Sequence, residues 1–335
     1  MTRKWSWGQY FALIGVPLLI WNVWTEIAWL VDGPRPVTEF RDPGSVNWYA
    51  VHILEGVMII GAISVIIYLI RGCRRQRRFL TFEVMFCLAG ATLHWANFGI
   101  NFFQPIIMAS SNFVNLNASC GHMPFIINPD CGRAADPVLF FFLMGAFMIP
   151  GEVFVATWLL HRLNARWPGV PRLWMMIAGL AVVIALLEIP ILILGFYAYG
   201  GPRWMSLTFG PGAQYNLVIL LQAAVCNLAM IAFYYFRNDK GQRIVERGLD
   251  QYTPRRQRLL TLLTVYVWVQ LATWVPGTLP AAFLSFYQDG WPKLPAYLVN
   301  DLCDAPGVTG TRYGPCPGSP EFRMPVRHSL PGESP

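Results

Sequence analysis

The amino-acid sequence predicts an all-α integral membrane protein, a seven-helix bundle with its N-terminus inside and its C-terminus outside. Three observations predict it. The 335 residues are 55% hydrophobic and only 13% charged, where soluble domains carry about 25% charged residues. Seven apolar stretches are long enough to cross a hydrocarbon core, which takes about 20 residues each. Lysine and arginine also fall unevenly between alternate connecting segments, 17 on one side and 8 on the other. That is the bias that sets orientation in a membrane.

The spans follow in order. The first, Tyr10–Val31, comes after Arg3 and Lys4. It is longer than a signal-peptide apolar region and shows no small-residue cleavage pattern, so it reads as a retained anchor. The second, Trp48–Ile70, runs inward to Arg71, Arg74, Arg75, Arg77 and Arg78. The third, Phe79–Phe103, runs outward into a long loop, Gln104–Asp136, rich in Asn, Ser, Pro and Gly. Its apolar residues Phe113, Phe125, Ile126 and Ile127 favour an ordered lid over the outer face. The fourth, Pro137–His161, leads to Arg162, Arg166 and Arg172, and the fifth is Leu173–Tyr199. The sixth, Gln214–Phe236, and the seventh, Leu259–Phe286, flank seven basic residues from Arg237 to Arg258. Residues 1–288 form the membrane domain, and 289–335 a Pro/Gly-rich extracytoplasmic tail. Pro17, Pro150, Pro190, Pro276 and Pro280 lie inside spans. Each kinks its helix, and the kink either opens a cavity or only makes packing irregular.

The cysteines fit this topology. Cys120 and Cys131 fall in the outer loop, and Cys303 and Cys316 in the tail, where disulfides persist. Two local bonds are the simplest pairing, although four cysteines allow three connectivities. Unpaired thiols are the alternative. Cys73, Cys87 and Cys226 lie inside or within spans and are expected to be free.

The chemistry is expected from glutamates within the spans: Glu26, Glu55, Glu83, Glu152 and Glu188. Burying an ionisable group in a bilayer costs several kcal/mol, so each is a functional candidate. Glu26 shares a face with Asn22 in the outer half of the first span. His52 and Glu55 are three apart near the outer end of the second. His94, Asn97 and Asn101 make one stripe up the third, and Glu188 lies in the outer half of the fifth. Together Glu26, Glu55, Glu188, His52 and His94 predict an outward-opening acid–base site, with Asn97 and Asn101 orienting substrate hydroxyls and Trp95 among the aromatic residues that line it. The bland reading is a structural hydrogen-bond network. Glu83 sits at the inner end, within reach of interfacial arginines. Glu152 follows Pro150 and Gly151, and is either structural or exposed to a cavity.

Some classes are excluded. The basic residues are juxtamembrane and not interleaved with aromatics, so nucleic acid is not an expected partner. Lys4, Lys240 and Lys293 all lie outside the spans, which rules out a buried Schiff base. Two histidines within spans are too few for a histidine-rich di-iron centre. The 22 arginines against 3 lysines suggest a high-GC, actinobacterial-type genome. Membrane terpene cyclases and non-catalytic transporters or receptors remain as alternatives, although no inverted repeat supports transport.

Three segments carry a family resemblance: His94-Trp95-Ala96-Asn97-Phe98-Gly99-Ile100-Asn101-Phe102-Phe103-Gln104-Pro105; Leu187-Glu188 through Gly195-Phe196-Tyr197-Ala198-Tyr199-Gly200; and Tyr235-Phe236-Arg237-Asn238-Asp239-Lys240-Gly241, continuing to Glu246-Arg247-Gly248. With the span array, from roughly Trp48 to Pro280, they resemble the AveC-like spirocyclase family. The resemblance implies a membrane enzyme of avermectin- or milbemycin-type macrolide pathways, with a lipophilic polyketide substrate. Such enzymes close a dihydroxy-ketone into a spiroketal, and some also dehydrate the product. The sixth span here lacks an acidic residue that goes with the family, which leaves the dehydratase activity in doubt. The reaction needs a general acid, a carboxylate near an oxocarbenium ion and a base. It needs neither metal nor redox cofactor.

Overall fold

The computed structural model describes residues 5–37, 43–93, 99–103, 106–128, 131–200, 202–210, 213–287 and Leu298. Helix α1 (Trp7–Asp32) starts where the Ser6 N–H donates to Gln9 Oε1 at 2.8 Å, and stops at Gly33, whose φ is 88°. Helix α2 (Val46–Gln76) starts at Ser45, whose Oγ accepts from the Trp48 N–H at 3.1 Å. Its last turn carries Arg74 and Arg75, the sign of charge a helix C-terminus favours. Thr81 caps the short α3 (Phe82–Gly90). Helix α4 (Val138–Arg166) contains one π-helical stretch, Met144–Met148, just before Pro150. Helix α5 (Val170–Ile193) breaks at Leu187, three residues before Pro190. Pro190 has no N–H to give the Leu186 carbonyl, and its ring crowds that oxygen. Asn216 caps α6 (Leu217–Tyr235) through the Val218 N–H at 2.8 Å. The last helix is α7 (Pro254–Tyr287).

Six of these helices are long and apolar enough to cross a membrane. In their apolar windows only 17% (α2) to 44% (α7) of residues are buried within the protein. Leaving that much apolar surface in water costs about 25 cal/mol per Å², so the surface supports a protein that sits in lipid. The seven-span expectation differs at the third stretch. Among the described residues, Phe79–Phe103 is helical over Phe82–Gly90 and again at Leu93, with turns at 91–92 and from Gly99; residues 94–98 lie outside them. At Gly90 the backbones of α3 and α4 touch. A Cβ on Gly90 would stand 2.0 Å from the Gly145 carbonyl oxygen, and one on Gly145 would stand 2.3 Å from that of Gly90.

The bundle is mostly helical, but the expectation of helices alone misses one end. Among the described residues seven short strands join its loops, and they correct the expected spans: β5 takes the end of the expected fifth span and β7 the start of the expected sixth. They are β1 (Pro36–Val37), β2 (Ile107–Ala109), β3 (Asn115–Asn117), β4 (Ala135–Pro137), β5 (Tyr197–Tyr199), β6 (Ser206–Gly210) and β7 (Ala213–Asn216). They pair antiparallel as β1-β3-β4, β2-β5 and β6-β7. The loop after α3 is thereby stitched to the segment after α5, with Ile107 opposite Tyr199. Within that loop Cys120 is bonded to Cys131. Cys73, Cys87 and Cys226 are free.

Two apolar cores stack along the bundle. One packs Phe86, Leu160, Ile177, Met230 and Val265 near the arginine-rich end. The other packs Val51, Phe113, Phe140, Phe196, Tyr215 and Leu284 near the strand-covered end.

Candidate active site

Glu188 opens the second half of α5, directly after the break at Leu187. Its carboxylate collects three phenols. The Tyr199 hydroxyl donates to Oε1 at 2.6 Å, the Tyr197 hydroxyl donates to the same oxygen, and the Tyr215 hydroxyl donates to Oε2. Tyr197 and Tyr199 are two apart on β5, so strand geometry puts them on one face. Tyr215 comes from β7, and its ring stacks on Tyr199 at 6.0 Å. Gln214 Nε2 donates to the Tyr199 carbonyl at 2.7 Å and ties the two segments together. Burial first, and then the Glu188 charge, push all three phenols above the ordinary tyrosine range. They are proton donors at neutral pH, and Glu188 is their acceptor.

The three tyrosines belong to the same apolar cluster as Val51 and Met58 of α2. Glu55 lies between those two residues on the buried face of α2 and is 8% exposed. Glu55 and the three tyrosines that hold Glu188 thus border the same apolar cluster. Glu26 goes to another place: it accepts from Ser119 Oγ at 3.0 Å. There Trp21, Phe102 and Trp274 pack on the disulfide turn around Ala118, Cys120 and Cys131.

His52 departs from the expected shared face with Glu55. It is exposed, with its ring 4.2 Å from that of Trp48 and Nδ1 2.8 Å from the Trp48 carbonyl oxygen. Three residues on a helix turn about 300°, and here that step crosses the boundary between the buried and outward faces. Asn101 is buried and serves the loop. Its Oδ1 accepts from the Ile106 and Ile107 N–H groups at 2.8 and 2.9 Å, and Nδ2 donates to the Ile107 carbonyl at 3.2 Å. Asn22 is also buried, with Nδ2 3.4 Å from the Tyr266 hydroxyl. His94, Trp95, Asn97, Cys303 and Cys316 lie outside the described residues.

Glu152, left open by the sequence, lines a groove of about 750 Å³ between α2, α4 and α5. The walls are mainly apolar, with Val65, Phe147, Phe154, Leu159 and Ile184, and Glu152 is the one carboxylate among them. It follows the π-helical stretch of α4, and such stretches often mark functional sites. Sequence reasoning missed the three tyrosines. The Tyr-Ala-Tyr alternation was visible, but it read as the end of an apolar helix.

Neither a curated protein nor a solved structure matches the chain. A family model described as spirocyclase AveC-like matches residues 76–294. The match begins at Gln76, the last residue of α2, so it takes in Glu152, Glu188 and the three tyrosines and leaves out Glu26, His52 and Glu55. Because it spans most of the chain, the protein belongs to the AveC-like spirocyclase family.

Proposed function

We propose that this protein is a membrane-embedded spirocyclase that closes a lipophilic dihydroxy-ketone polyketide of the avermectin or milbemycin type into a spiroketal. The observation that carries the proposal is Glu188 with its three phenol donors, inside the segment that matches the family.

The reaction fits the groups. One substrate hydroxyl adds to the ketone and forms a hemiketal. Protonation of the hemiketal hydroxyl lets it leave as water, and an oxocarbenium ion remains. The second hydroxyl adds to that carbon and gives up its proton, so the net change is loss of one water. Glu188 is the carboxylate beside the cation and the acceptor of the last proton. Every one of its hydrogen-bond partners named above is a donor, which suits the acceptor role. Glu55, bordering the same cluster, is the proposed donor to the leaving hydroxyl. His94, Asn97 and Trp95 fall in the matched segment and stay candidates for the second base and for substrate contacts. The exposed His52, the loop-engaged Asn101 and Glu26 beside Ser119 receive no step here. Spiroketals also form without an enzyme, so the main contribution is a shaped pocket that selects one epimer. The apolar groove beside Glu152 offers a lipophilic substrate a way in from the bilayer.

Deletion of the gene with metabolite profiling tests this. The expected result is accumulation of a linear keto-diol or of the other spiro epimer. An unchanged metabolite profile refutes the proposal, and a missing cyclised prenyl product points to terpene cyclisation.

A further inference from the structure

At the end of the bundle away from the strands, a cavity of about 440 Å³ lies between the end of α2, the start of α3, the loop before α7 and the start of α7. Four arginines line it: Arg78, Arg237, Arg243 and Arg258. Two carboxylates line it as well, and both are engaged. Glu83 Oε1 accepts from the Tyr234 hydroxyl at 3.0 Å. Glu246 Oε2 accepts from the Arg243 backbone N–H at 2.8 Å and stands 3.7 Å from Arg243 Nη1. Among the described residues, Arg78, Arg237 and Arg258 have no carboxylate at ion-pair distance. Four cations against two anions leave two positive charges over.

Arg243 is fixed in this cavity. It is 3% exposed, lies 3.6 Å above the Phe82 ring and 4.5 Å from the Tyr234 ring centre, and donates through Nε to the Tyr234 carbonyl at 3.2 Å. Its Nη2 is buried without a hydrogen-bond partner. Burial, followed by the nearby Arg237 charge, lowers its proton affinity. A buried cation beside a like charge is costly unless an anion compensates it. Two helix N-termini add to the positive potential: Thr81, Phe82 and Glu83 of α3, and Pro254, Gln257 and Arg258 of α7, all line the cavity. Helix N-termini and arginine forks are the two standard partners of phosphate.

We propose that this cavity binds a phosphate group, with Arg237, Arg258 and Arg78 as direct ligands and Arg243 as the fixed cation beneath them. The source is either the headgroup of an anionic phospholipid or a soluble phosphate compound, since both present the same oxygens. The proposal is independent of the spirocyclase reading, because none of these residues contacts the Glu188 cluster.

The test uses the full chain in detergent, followed by thermal unfolding and native mass spectrometry. The probes are phosphatidylglycerol, with phosphatidylcholine as control, and inorganic phosphate and pyrophosphate, with matched chloride as control. Stabilisation by phosphatidylglycerol alone identifies a lipid site; stabilisation by phosphate or pyrophosphate identifies a soluble ligand. Hydrogen bonds to charged groups predict that Arg237→Gln and Arg258→Gln each weaken binding about tenfold or more. Arg255→Gln, an exposed neighbour outside the cavity, should bind as wild type does. The inference is overturned if no phosphate-bearing probe exceeds its control, or if Arg237→Gln and Arg258→Gln bind as well as Arg255→Gln.

Discussion

Glu188 is where one side chain sets both chemistry and structure. Glu188→Gln keeps the shape and removes the charge. General acid–base groups contribute a factor of about 100 to 10,000 in rate, so the enzyme-dependent part of cyclisation should fall by that much. The spiro-epimer ratio should drift to that of the uncatalysed reaction. Measured at matched protein levels in membranes, a wild-type ratio would remove Glu188 from the mechanism. The phenols around it predict a pH effect as well. Folding holds their protons more tightly than the unfolded chain does, and an unfolded tyrosine releases its proton near pH ~10. Their contribution is therefore complete below about pH 10 and is lost as pH rises further. Thermal unfolding followed from about pH 9 to about pH 11 should show the decline, and Tyr199→Phe should make it shallower. An equal decline in both proteins would contradict this. Glutamate in an apolar run was legible in the sequence because its burial is costly. Its tyrosine partners were not, because tyrosine in such a run reads equally as packing or as an interface anchor.

The elements were legible in proportion to how strongly lipid constrains them. A spanning helix needs an apolar run of fixed length, and six such runs became α1, α2, α4, α5, α6 and α7. Strands of two to five residues leave too little alternation to read, so the sheets that hold Tyr197, Tyr199 and Tyr215 were not foreseen. The π-helical stretch in α4 has no periodic signature at all. Part of the expected third span lies outside the described residues, and what is described of it packs closely. Where α3 meets α4, Gly90 and Gly145 bring two backbones into contact. Gly90→Ala cannot be absorbed by turning a side chain, because what it strikes is a carbonyl. Overpacking usually costs about 1–3 kcal/mol, and this substitution should reach the upper end of that range. Its thermal stability in detergent checks the prediction: a wild-type midpoint would mean that the helices stand further apart than described.

For the whole molecule, the arrangement to establish is sidedness. The 17-to-8 split of basic residues predicts that a reporter after Arg71 and a reporter in the tail report opposite sides. Both reporters on one side would end the topology with N-terminus in and C-terminus out, and with it the outward-opening site. The bond between Cys120 and Cys131 bears on the same question, because it closes the loop whose Ser119 reaches Glu26. That bond also governs how the protein can be prepared. It needs an oxidising compartment to form and thiol-free conditions to last. A chain made in a reducing cell-free mixture, or stored with dithiol, would carry two thiols in place of the link and a loop of different stiffness. An inactive sample of that kind would report on its preparation and leave the glutamates untested.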